Sequence, residues 1–200
     1  LAGDEAVRAD METFWNGPWG WKKDDGHCSS TFGTFLLMVR GLFALVEEDT
    51  DASRAALREW LPPPTELLRI AEYECLWRAH MMGANHPALL LARLHGERLG
   101  GWDVAVEVAE GVLRIEAFHP LLRTEACRLL GRAHHALGSR AAACEAAEKA
   151  VVEAAKAKYI WLETMGLRDL LSWCGAGEAE AVRSRLRSVE ERMKRLSEAR

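Results

Sequence analysis

The chain has 200 residues, 49% hydrophobic and 28% charged, with 26 basic and 30 acidic side chains for a net charge of −4. That length is enough for one domain with a sizeable core, and the composition excludes a disordered chain. The near balance of charge supplies no positive field for nucleic acid. No apolar run reaches the ~20 residues a bilayer span needs, since Arg40 interrupts the best stretch, Phe35 to Val46.

Residues 1–30 read as a segment apart. The chain begins at Leu1 rather than Met, which is compatible with a removed targeting peptide or a longer protein upstream. Asp4 to Trp15 fits a short helix, and Asn16 to Trp21 a turn broken by Gly17, Pro18 and Gly20. Trp15, Trp19 and Trp21 cluster here, in a chain that holds eight Trp in all. Trp is favoured at buried interface anchors. The three are therefore candidate partner-binding residues, with folding back onto the first helix pair as the alternative.

From Thr31 onward helical periodicity dominates. The pattern predicts helices near 31–46, 50–61, 65–82, 87–99, 102–117, 120–137, 139–157, 159–174 and 177–198. Pro62, Pro63 and Pro64 stop the second, and Thr65 offers a cap for the third. His86-Pro87 and His119-Pro120 open helices with proline in the first turn, where it is tolerated. Gly100-Gly101 and Gly138 fit helix ends that need a left-handed residue. Val104, Val106 and Val108 alternate as a strand would. Helix is the better reading, because Ala and Glu are poor strand formers and Trp102, Ala105, Ala109, Val112 and Leu113 share one helical face. Nine of the seventeen residues from Ala141 to Ala157 are Ala, and such small side chains permit close helix–helix approach. The last helix carries one stripe, Val182, Leu186, Val189, Met193 and Leu196, with charge around the rest. It reads as a cap, or as a seam for another helix.

The joints recur. The glycines at 100, 138 and 175 stand 38 and 37 residues apart, and the His-Pro starts stand 33 apart. Two helices per unit and a period of about 34–40 residues point to stacked helix pairs. Leu130-Gly131, His134, Leu137-Gly138, Ala143, Ala147 and Ala150 then resemble the tetratricopeptide (TPR) pattern. Gly41 to Ser53 carries the same spacing of small residues in an earlier unit. The resemblance covers about 31–198, in roughly four units, within a domain expected over 31–200. It implies an all-α fold, a right-handed stack of antiparallel helix pairs (a TPR-like α-solenoid) of about nine helices, capped by 177–198. The helix 65–82 departs from the pattern and looks unpaired, which predicts an irregular stack there. Glu66 to Glu72 and Ala84 to Leu90 also resemble a set of algal TPR-like proteins of unassigned function, which implies an organelle, such as a plastid.

The resemblance further implies a groove lined by the first helix of each pair. By carry-over from the motif, Glu125, Arg128, Arg132 and His135 face it in one unit, Arg93 and Glu97 in the unit before, and Asp169 joins from the unit after. Three arginines there would suit a carboxylate or an acidic peptide. The Asn and Lys pattern of carboxylate-clamp TPR domains is missing. Against enzymatic function stands the lack of any GxSxG or phosphate-binding glycine loop. His27-Cys28 and His134-His135 lack the paired spacing of a metal site, so no catalytic residue, cofactor or metal is expected. Cys28, Cys75, Cys127, Cys144 and Cys174 are odd in number and widely spaced, and all but Cys28, which lies in a polar loop as a reactive thiol at best, sit among apolar residues; this favours reduced, buried thiols at those four and an intracellular, reducing compartment, cytoplasm or organelle. The expected function is a protein–protein interaction module for a protein or peptide partner. The alternative is a linker or assembly subunit of a larger complex, which could be attached to a membrane.

Overall fold

In the computed structural model the described residues are 39–45, 47–75, 86–115 and 119–198. Trp15, Trp19, Trp21, His27, Cys28 and the far half of the expected 65–82 helix lie outside them. Nine helical segments and no strand occur among the described residues: α1 at 39–45, α2 (Asp51–Trp60), α3 (Pro64–Cys75), α4 (Pro87–Leu99), α5 (Trp102–Arg114), α6 (Pro120–Ala136), α7 (Arg140–Lys156), α8 (Ile160–Trp173) and α9 (Ala176–Glu198). The alternating valines of 104–108 are helical, as expected from their company of Ala and Glu.

Local chemistry sets the boundaries. Thr50 and Ser53 cap α2 reciprocally: each backbone N–H donates to the other's hydroxyl, at 3.0 and 3.1 Å. α3 begins one residue before the Thr65 cap that the sequence suggested. Pro64 takes the first position, and the Pro63 carbonyl accepts from the N–H groups of Glu66 and Leu67. The two His-Pro starts share one device. Nδ1 of His86 accepts from the Ala88 N–H, and Nδ1 of His119 from the Leu121 N–H, both at 3.3 Å. Gly100 and Gly138 are left-handed at φ 73° and 80°. Gly175, at the α8–α9 joint, is not left-handed, and the connection between α7 and α8 instead holds a left-handed Lys158, at φ 61°.

Each helix from α3 to α9 packs against the next, and α4, α6 and α8 also touch in turn. Small residues permit this. Gly96 lies under the ring of Trp102, and Gly166 meets Val151. α3 is not unpaired as the sequence suggested. Its Leu68 fills the space over Gly111 of α5, and it packs on α4 as well. One buried cluster joins Leu67, Leu91, Leu94, Val108, Val112 and Leu122 of α3 to α6. A second joins Ala143, Ala147, Leu167, Trp173, Val182 and Val189 of α7 to α9. Leu186 packs against that second cluster, but Met193 and Leu196 stay exposed. The stripe of α9 therefore seals the stack over only part of its length.

Burial pushes the His86 imidazole down to about 4 from 6.5, so the folded state holds it neutral. Its contribution to stability is whole above pH 6.5 and is lost as pH falls from there to about 4. The full loss is on the order of 3 kcal/mol, at ~1.4 kcal/mol per unit. His86→Asn keeps a cap acceptor without the titration. Denaturant melts at pH 7 and pH 5 will show a smaller loss on acidification for this variant than for the parent chain. A second expectation concerns Lys158. Lys158→Gly relieves the left-handed backbone and raises stability by ~0.5–1 kcal/mol, as read from the same melts.

Candidate interaction face

The helices α4, α6 and α8 present a ladder of charge. Positions recur in phase: Arg128 follows Arg93 by 35 residues, and Arg132 follows Glu97 by the same 35. Met165 and Asp169 stand at the matching places on α8, each 37 residues further on. On α4, the Arg93 Nε donates to Glu97 Oε1 at 2.7 Å. On α6, the Arg128 Nε donates to Asp169 Oδ2 at 2.8 Å, and its Nη1 donates to both oxygens of Glu125, at 3.1 and 3.4 Å. The Met165 sulfur lies 3.8 Å from the same nitrogen. Arg132 stands between acids of two other helices, 3.9 Å from Glu97 Oε1 and 3.8 Å from Asp169 Oδ1.

These geometries separate the two central arginines. The carry-over placed both in an open groove. Arg128 is instead buried, with 5% of its side chain exposed, and its donors are turned to Asp169 and Glu125. Close approach of α6 and α8 excludes water there, and a buried guanidinium is tolerated only when paired. Arg132 keeps 28% of its side chain exposed and makes no hydrogen bond among the described residues. Burial lowers its pKa, Asp169 opposes that, and the Arg128 and Arg93 charges add to the lowering. Arg93 and Glu97 are part-exposed beside it.

His135 is exposed and stacks on the Trp173 ring, with centroids 5.3 Å apart and planes at 20°. Trp173 is the residue that sequence reasoning missed. Its ring lies against Gly131, where an added Cβ would meet it at 2.8 Å, and its carbonyl accepts from the Arg140 Nε at 2.6 Å. Spacing offered one signal: Trp173 lies one turn beyond Asp169 and so on the same face of α8. Among the described residues, no group of three or more His, Cys, Asp or Glu is placed to hold a metal ion, and no helix is long and apolar enough to cross a membrane.

Three comparisons bear on relatives: no protein-family model, no curated protein and no solved structure matches this chain.

The pairing of Arg128 makes a graded expectation. Asp169→Ala leaves the buried cation with Glu125 alone and costs about 3 kcal/mol. Glu97→Ala, at a part-exposed pair, costs less than ~1 kcal/mol. Urea denaturation of the two variants gives the ranking, and equal losses would show that Arg128 is not the buried charge that matters.

Proposed function

We propose that the chain is a non-catalytic interaction module, a TPR-like stack whose first-helix layer of α4, α6 and α8 receives a protein or peptide. The observation that carries this reading is Arg132. It is a partly exposed guanidinium with unused donors, held between Glu97 and Asp169 at distances too long for hydrogen bonds. A half-desolvated cation of that kind gains from an incoming oxygen acceptor. The face as a whole is neutral, since Arg93, Arg128 and Arg132 are matched by Glu97, Glu125 and Asp169. A partner offering backbone carbonyls or a single carboxylate suits it better than a polyacidic segment, for which the three arginines alone had argued. The TPR assignment rests on the motif residues and on the way α4, α6 and α8 pack in turn.

A second reading, a linker or assembly subunit of a larger complex such as one of a plastid, draws on exposed apolar side chains of α8 and α9. Trp161 is 43% exposed, Met193 41% and Leu196 58%. Such residues suit contact with a neighbouring subunit.

Affinity purification from the native source, with mass spectrometry, decides between the two. Arg132→Glu should weaken capture of the principal partner by about tenfold or more, the equivalent of ~1.4 kcal/mol. The double change Trp161→Ser and Leu196→Ser should leave that capture intact. The reverse pattern would replace the groove reading with the subunit reading.

A further inference from the structure

Away from the charged face, Cys144 near the start of α7 and Cys174 at the end of α8 flank one buried cluster. Cys144 lies in the first turns of α7, four residues beyond Arg140 and on the same side of the helix. Cys174 ends α8. Its N–H donates to the Leu170 carbonyl at 2.8 Å, and its Sγ lies 3.6 Å from the Leu171 carbonyl. Arg140 links the two neighbourhoods. Its Nε donates to the carbonyl of Trp173, and its Nη2 stands 3.3 Å from where a Cβ on Gly175 would be. The guanidinium thus touches the residues on either side of Cys174, while Cys144 rises one turn away on the same helix face.

Both thiols are half-buried and pack against the buried cluster of α7 to α9 that includes Ala143, Ala147, Leu170 and Trp173. Burial pushes the Cys144 thiol above its ordinary value, Arg140 works against that, and the Cys174 thiol adds to the rise. Those causes agree with the contacts in placing all three groups together. Cys127 is a built-in contrast. It is buried at 4% exposure on α6, and burial with help from Glu153 pushes it up to about 11.

We propose that Cys144 and Cys174 are a redox-active pair that closes to an intramolecular disulfide on exposure to a peroxide. One thiolate attacks a peroxide oxygen. The O–O bond breaks, hydroxide leaves and a sulfenic acid remains. The second thiol attacks that sulfur, the S–S bond forms, the S–O bond breaks and water leaves. With hydrogen peroxide the sum is two thiols plus one peroxide giving one disulfide and two waters. Two electrons pass from sulfur to oxygen. The bond ties the start of α7 to the joint from which α9 departs, so it fixes the helix that closes the stack. A dithiol reductant reverses it.

The test uses the whole chain. Hydrogen peroxide is added to the folded protein, free thiols are alkylated, and the products are digested with trypsin without reduction. The five cysteines fall in five different tryptic peptides, with Cys144 in 141–149 and Cys174 in 169–183. The expected result is loss of both free-thiol peptides and appearance of the linked 141–149/169–183 species, from protein that stays a single chain on a non-reducing gel. Cys174→Ser, a near-isosteric change checked for folding by circular dichroism, removes the species. Cys127 remains a free thiol throughout. The proposal is overturned if Cys144 and Cys174 stay as separate thiols or oxoacids, or if either pairs with Cys28, Cys75, Cys127 or a second chain.

Discussion

Trp173 can seat its ring against α6 because residue 131 has no side chain. A Cβ there would stand 2.8 Å from the ring and 3.2 Å from the Ala143 carbonyl, inside any ordinary contact. The seat brings α6, α7 and α8 together at one point: His135 covers the ring, and Arg140 holds its carbonyl. Other features follow from that seat. Asp169 lies one turn before Trp173, and its carboxylate meets Arg128 and approaches Arg132. Cys174 lies one residue after, which sets its thiol near α7. The charged face and the thiol pair are therefore two sides of one packing decision.

The second constraint is the cost of burying charge. Where α6 and α8 approach closely, an arginine can stay only with carboxylates around it. Arg128 has Asp169 and Glu125 in hydrogen-bond range. One turn along, Arg132 has acids only at 3.8 and 3.9 Å and part of its surface open. The same residue type thus locks one helix pair together and leaves donor capacity a turn away. Packing uses one rung of the ladder and leaves the next partly open, and the division between them is a matter of about an ångström in separation and of access to water.

Much of this was legible from residues alone. His86-Pro87 and His119-Pro120 marked helix starts, and both histidines serve as caps. Gly100 and Gly138 marked ends and are left-handed. Gly175 sat in phase with them yet is not left-handed, while the α7–α8 connection, which carries no glycine, holds a left-handed Lys158. No side-chain chemistry announces a strained lysine, because the demand comes from the path between α7 and α8. The five-residue stripe of α9 was correct in spacing. Only Val182, Leu186 and Val189 of it meet the second core, because Met193 and Leu196 lie beyond the surface that α7 and α8 offer.

By itself, the sequence determined the helices, their order and their repeat. Those depend on local propensity, on proline and glycine, and on spacing along one chain. Tertiary structure alone decided which charges are spent and which are available. Arg128 and Arg132 are indistinguishable in the pattern, and so are the thiols of Cys127 and Cys144. What separates them is burial and the distance to groups on other helices. Those quantities belong to the gap between helices, and that gap is set by contacts such as Gly131 with Trp173, far apart in the chain.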